Sequence, residues 1–413
     1  MDGNWYGICL AEGIYVRREQ KDVEGKRSMK KILFLTQNMK MNGANKSLIN
    51  MLNVIDKKKY TIDLFAFSKE GILADCIPKD INLLEEDKYM ACFTNSMQDV
   101  YQSADFIGKG IRVLSAVEKK ITGCPTDPKI KFLLWKFAKN IHCKYDIAIA
   151  WNEGACHKFL VDKIDAKIKI GWCHIDDEAW PYHYKLQKKY FPKLDYICTV
   201  SERCKKALLN RYDISEKKIK VIRNIMPIHF MMESSKDSFN LFDGEQINIL
   251  TITRNEFLKK NSDAIQAAKL LHDSGLNIHW WILGGGFSEE QYNSESTYLT
   301  FVRPVKNPYV FIKNCDIYVQ TSHPGEAWGM GINEAKIFGK PVVVSKTEVF
   351  TEQVIDYETG LIYDHTVDDL VEKIKLLIYS EDLKSYIQKN LKASDWSNIE
   401  YLEILYSLME GCE

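Results

Sequence analysis

Short apolar runs, each the length of one buried strand, alternate with amphipathic helical patterns along nearly the whole chain, and this limits the fold more than any other feature. A run such as Ile32-Leu33-Phe34-Leu35 has no polar face. Strands of that kind are buried on both sides, which requires a parallel sheet covered by helices on both faces. In the first half, strands are expected at 31–36, 62–67, 147–151, 168–173, 196–200 and 219–223. Helical periods fill 44–56, 98–120, 129–143, 155–164, 180–190 and 202–212. A polar stretch from Pro227 to Gln246 interrupts the pattern and reads as a linker. The alternation restarts with strands at 248–253, 279–283, 298–302, 316–321, 341–345 and 361–364. Helices fit at 261–273, 306–314, 327–338, 351–356, 367–379 and 382–392.

Two successive doubly wound α/β domains are the consequence, at 29–228 and 229–394, and 413 residues are too many for one core. Ligands of such sheets bind beyond the carboxyl ends of the strands, here in the cleft between the domains. The amphipathic segment 395–413 has no strand of its own and is expected to pack back across the junction. Residues 1–28 differ from the rest, with a mostly charged stretch from Arg17 to Lys30. They read either as an extension upstream of a natural start at Met29 or as a flexible arm.

Charge and cysteine usage exclude several classes. Lys plus Arg number 56 and so do Asp plus Glu, so no global field draws the chain to nucleic acid. Eleven cysteines are scattered, odd in number and never spaced C-x-x-C, which argues against a disulfide framework or zinc site and for a reducing cytoplasm. No apolar run approaches the ~20 residues of a membrane span. The N-terminus lacks the pattern of a signal peptide.

Four places carry candidate chemistry. After strand 316–321 comes His323 to Ser345, HPGEAWGMGINEAKIFGKPVVVS. There Gly329-Met330-Gly331 leaves backbone N–H groups bare at a helix start, which suits a phosphate or sugar hydroxyl. Glu326 lies in the loop and Glu334 on the helix, about two turns apart if the helical path reaches back that far. Such carboxylates suit sugar hydroxyls, and equally a solvated surface helix. Arg254 and Lys259-Lys260 follow strand 248–253, where cations would hold a diphosphate or form a basic surface turn. His174 closes strand 168–173 and is either a cleft contact or a satisfied histidine. A metal site of His174, Asp176 and Asp177 is a remote alternative. Gly284-Gly285-Gly286 lacks dinucleotide-fingerprint spacing. Lys129 to Tyr145 carries five lysines, no acid and several aromatics. It suits either an anionic membrane surface or a core helix with a basic outer face.

Together these residues resemble glycosyltransferase family 4 (group 1), retaining sugar transferases of the GT-B fold, in particular those of bacterial capsular and cell-wall polysaccharides. Glu326 and Glu334 match the family's Glu-(seven residues)-Glu pattern, followed by Gly339-Lys340-Pro341-Val342-Val343 and Thr359-Gly360-Leu361. Arg254 and Lys259 match its Arg-(four residues)-Lys pair, with Lys260 an alternative after a one-residue insertion. Asn42-Gly43-Ala44 stands where a Gly-Gly turn is usual, and Ala327-Trp328 replaces the commoner Gly-Phe. The resemblance implies a nucleotide-sugar donor, a glycan or lipid-linked acceptor, and no metal or other cofactor. It implies that Arg254 and Lys259 or Lys260 stabilise the leaving diphosphate, which Gly43 approaches. Glu326 would hold the donor sugar and Glu334 the ribose, Gly329, Met330 and Gly331 would supply backbone donors, and His174 would close the sugar pocket. The expected setting is cytoplasmic, peripheral on the inner membrane face. The competing expectations are a catalytically silent GT-B partner subunit and a sugar-nucleotide epimerase of similar fold.

Overall fold

The computed structural model describes residues 29–123, 129–139, 141–180, 183–238, 241–242 and 244–411. The expectations for residues 1–28 lie outside the described residues. The first domain is a seven-stranded parallel sheet. Its strands are β1 (Lys30–Thr36), β2 (Tyr60–Ala66), β3 (Asn82–Leu83), β4 (Lys144–Ala150), β5 (Asp165–Cys173), β6 (Tyr196–Thr199) and β7 (Ile219–Val221), in spatial order β3-β2-β1-β4-β5-β6-β7. The second is a six-stranded parallel sheet of β8 (Ile247–Ile252), β9 (Ile278–Leu283), β10 (Leu299–Val302), β11 (Ile317–Gln320), β12 (Val342–Ser345) and β13 (Leu361–Tyr363), ordered β10-β9-β8-β11-β12-β13. In both sheets the order reverses beside the first strand, which opens a crevice at the carboxyl ends.

Register follows from apolar strands buried on both faces. Phe34 of β1 sits between Leu64 of β2 and Ile149 of β4, all fully buried. One continuous core cluster joins the domains, running from Leu48 and Trp151 through Met226 and Met231 to Trp328 and Phe350. The chain crosses between domains twice, and the crossings are bonded together. Met226 N–H donates to the Ser397 carbonyl (2.8 Å), and Asn398 Nδ2 to the Asn224 carbonyl (2.8 Å). The second crossing leads to helix Tyr401–Glu410, which lies on the first domain. There Tyr406 Oη accepts the Asp56 N–H at 2.8 Å, and its ring packs on Tyr60.

Two local expectations are corrected. The period at 98–120 is not one helix but Met97–Ser103 and Phe106–Thr122. Ala104 ends the first and Asp105 caps the second, its carboxylate accepting the Gly108 N–H at 2.8 Å. Lys129–Lys136 is a 3₁₀ turn rather than the start of an α-helix, and backbone 141–143 is irregular. Leu134 and Trp135 are buried in the core, where Trp135 packs edge-on against Phe67 and Phe159, while Leu133 and Phe137 stay exposed. The α-helix on which both readings of this segment rested is not formed among its described residues. The linker 227–246 also contains a short helix, Ile228–Ser234, anchored by buried Met231.

Candidate active site

The second-domain half of the crevice is built by two loops, one after β8 and one after β11, stitched together by backbone groups. His323 N–H donates to the Leu258 carbonyl (2.7 Å), Ser322 Oγ to the same carbonyl (2.9 Å) and Thr321 Oγ1 to the Lys259 carbonyl (2.8 Å). Asn261 Nδ2 holds the Arg254 carbonyl at 2.9 Å and its Oδ1 accepts from Thr253. Such cross-linking fixes the positions of the charged side chains that these loops carry.

Lys259 and Glu326 meet there, Nζ to Oε2, at 2.5 Å, both largely buried. Burial alone would raise the Glu326 carboxyl, but Lys259 together with the Ser322 hydroxyl and Ala327 N–H holds it below the ordinary glutamate value. Lys260 is committed elsewhere. Its backbone is left-handed (φ 46°), and its ammonium donates to the His365 carbonyl at 2.6 Å and pairs with Asp263 at 2.8 Å. Of the two candidate lysines, Lys259 is the one brought to the glutamate. Arg254 is half exposed at the edge of the loop and pairs with Glu256 at 2.6 Å.

Helix Met330–Ile337 starts after Gly329, whose φ of 86° favours glycine. A Cβ on Gly331 would lie 1.9 Å from the Tyr318 hydroxyl, so this position admits no side chain. The helical path does not reach back to Glu326. Ala327 and Trp328 form a buried loop, with the Trp328 carbonyl accepting from Gln353, so the two glutamates occupy a loop and a helix rather than one face. Glu334 is almost wholly buried. Its partner comes from the first domain: Lys46 Nζ lies 2.5 Å from Glu334 Oε1 and 5.0 Å above the Tyr309 ring. Burial would lower the Lys46 ammonium, yet Glu334 and Tyr309 raise it above the ordinary lysine value, so it is a stable cation. Sequence reasoning missed Lys46. Its place on helix Gly43–Val54, directly beyond the carboxyl end of β1, was the available signal.

The first domain supplies the facing wall. Gly43 opens its helix behind the Asn42 cap, and a Cβ there would meet no atom within 4 Å, so packing alone does not demand glycine. His174 stacks against Trp172, with rings 8° apart, and its backbone N–H donates to Glu153. Burial pushes the imidazole down to about 3, so it is neutral near pH 7, and its Nε2 is buried without a hydrogen-bond partner among the described residues. Burial likewise lifts Glu153 to about 7. The 174–180 loop meets the glutamate loop directly, since a Cβ on Gly325 would lie 2.6 Å from the Ala179 Cβ. Asp176 is taken by Arg203 (2.9 Å) and Asp177 by Arg211 (2.8 Å), which leaves the His174, Asp176, Asp177 metal alternative without free carboxylates. Gly284 is explained by packing, because a Cβ there would strike the Thr253 carbonyl at 1.5 Å.

Comparison with known proteins bears on the fold and on the second domain. Residues 233–394 match the family model described as glycosyl transferases group 1. An uncharacterized glycosyltransferase of Methanocaldococcus jannaschii is 24% identical over 51% of this chain, which spans 58% of that relative's length. Crystal structures of Anabaena HepE with UDP and glucose (18% identity, TM-score 0.61) and of S. aureus TarM (14%, 0.63) share the fold. The first covers 92% of this chain and 100% of its own, the second 93% and 99%. Two facing parallel-sheet domains give this chain the GT-B fold, and most of the second matches the glycosyl transferases group 1 model.

Proposed function

We propose that the chain transfers a sugar, with retention of anomeric configuration, from a nucleotide-sugar to a glycan or lipid-linked acceptor in the assembly of a bacterial surface polysaccharide, and that it acts in the cytoplasm. The observation that carries this reading is the pair of buried ionic contacts at the crevice, Lys259 with Glu326 and Lys46 with Glu334. Burying four charges costs several kcal/mol per ion before pairing offsets it, which is a poor way to stabilise a fold and a good way to preorganise a polar ligand site.

In this reading the donor diphosphate lies between Arg254 and Lys259. As the bond from anomeric carbon to phosphate oxygen breaks, negative charge grows on the diphosphate and the fixed ammonium stabilises it. The backbone N–H groups at Gly329, Met330 and Gly331 add donors at a helix start. Glu326 accepts from donor-sugar hydroxyls and Glu334 from the ribose. Neutral His174 takes part as a hydrogen-bonding group rather than as a cation. Protein cations supply the charge that a divalent ion supplies elsewhere, so the reaction needs no metal. A silent partner subunit would have no use for this arrangement, and an epimerase would turn over donor without an acceptor.

The test is incubation with a panel of nucleotide-sugars and glycan acceptors, read by mass spectrometry, with the product anomer assigned by NMR. Acceptor-dependent transfer with retention supports the reading. Donor epimerisation without acceptor, inversion, or inertness with every donor that raises thermal stability contradicts it.

A further inference from the structure

Helix Phe106–Thr122 is turned inside out. Its buried side carries Gly108, Ile111, Arg112 and Ser115, and half of it is polar: Arg112 donates to the Cys92 and Phe93 carbonyls, and the Ser115 hydroxyl to the Arg112 carbonyl. Its outer side is apolar. Phe106 is 90% exposed, Ile121 78% and Leu114 56%, and Val113 and Val117 continue the stripe at helical spacing. Tyr101 and Met97 of the preceding helix extend the patch. An exposed apolar face of this length on one helix marks an interaction surface.

Its surroundings identify the partner. Between residues 97 and 139 the chain has seven lysines, besides the buried Arg112, against Asp99, Asp105, Glu118 and Asp127 as acids. Glu118 is occupied, accepting the Lys129 and Ile130 N–H groups, and this pins the basic segment Lys129–Lys136 alongside the helix. Lys119, Lys120 and Lys136 are exposed. An apolar stripe rimmed by cations is complementary to an anionic lipid surface, where side chains enter the acyl boundary and ammonium groups meet headgroups. A second copy of the chain fits poorly, because a self-paired contact would set one lysine cluster against the other.

The geometry points to helix Phe106–Thr122 as the element by which the first domain docks on an anionic membrane, with the lysines beside it as the electrostatic rim. This inference does not depend on the sugar-transfer reading, and its test does not use catalysis. It moves the membrane contact from the segment 129–145, whose Trp135 is buried in the core, to a neighbouring helix whose Phe106, Val113, Leu114, Val117 and Ile121 are exposed.

The full chain is sedimented with vesicles of phosphatidylcholine alone and of phosphatidylcholine with phosphatidylglycerol, at low and high salt. Wild type should bind the anionic vesicles and weaken steeply with salt. The variant Phe106→Ser, Leu114→Ser, Ile121→Ser alters only exposed positions and should lose about 100-fold in vesicle affinity with an unchanged melting temperature. The variant Lys119→Glu, Lys120→Glu, Lys136→Glu should lose at least about tenfold, the loss confined to anionic vesicles. Absence of wild-type binding, or equal binding by wild type and the apolar variant, overturns the proposal. So does a wild-type dimer that the serine variant converts to a monomer without any vesicle binding by either.

Discussion

The two domains share one strand-and-helix plan and both bury paired charges at strand ends, but the first also turns the apolar side of one helix outward. In the second, charged side chains are drawn inward at the strand ends and neutralised in pairs, Lys259 with Glu326 and Lys260 with Asp263. In the first, helix Phe106–Thr122 sends most of its apolar side chains outward and keeps Arg112 inside beside Ile111, bonded to carbonyls. Inward pairs hold a polar ligand site in shape, whereas an outward apolar face has value only against another surface. The domains meet where the two habits cross, at Lys46 and Glu334. A second crossing contact lies nearby, where Glu352 accepts the N–H groups of Glu202 and Arg203 and so caps a first-domain helix with a second-domain carboxylate.

The sharpest way to break this comparison is at Lys259. Lys259→Ala should lower kcat by about 10²–10³, the loss expected when one preorganised transition-state donor is removed. It should also lower folding stability by roughly 3 kcal/mol, because Glu326 is left buried without its partner. Lys260→Ala should reduce stability through Asp263 and leave turnover near wild type. The reverse pattern in paired kinetic and unfolding measurements would move the diphosphate contact to Lys260.

The next effect in size belongs to the interdomain pair. Lys46→Met should cost about 2–3 kcal/mol of stability, since it strands Glu334 in the interface. Lys46→Met combined with Glu334→Gln should recover more than half of that in a double-mutant cycle, and additive losses would show that the two residues act separately.

How much of this was legible in the sequence differs between the domains for a physical reason. Arg254, Lys259, Glu326 and Glu334 follow strands whose ends are visible as apolar runs, so their neighbourhood could be read from chain order. The Lys259–Glu326 pairing could not, because it depends on how two loops are laced together. The pairing of Lys46 was hidden for a related reason: its partner Glu334 lies in another domain. The period at 98–120 was read as one helix because the Asp105 cap interrupts it without a glycine or proline. Lys129–Tyr145 left two readings open because a run of lysines looks the same whether its aromatics face lipid or, as with Trp135, a core.

A smaller effect tests the burial of charge behind the site. Lys336 donates to the Gln353 carbonyl at 2.6 Å and lies 3.6 Å from the Trp396 ring centre, and burial pushes its ammonium down to about 7. Between about 7 and its ordinary 10.5 the unfolded chain holds a proton that the folded chain does not, so this group makes stability rise with pH across that window. Wild type should gain about 2 kcal/mol relative to Lys336→Met between about pH 7 and pH 9 by urea unfolding. Parallel curves would contradict it. The smallest expected effect is none: turnover should be unchanged by excess EDTA, and a loss restored by Mg²⁺ or Mn²⁺ would overturn metal independence.

The central claim is that the paired charges at the crevice are a donor site. Isothermal titration of wild type, Lys259→Ala and Glu334→Ala with the nucleotide-sugar found in the donor screen tests it most directly. The account predicts micromolar-range or tighter binding by wild type and a loss of at least about tenfold, near 1.4 kcal/mol, in each variant with its fold intact. Equal affinity in all three proteins would contradict it.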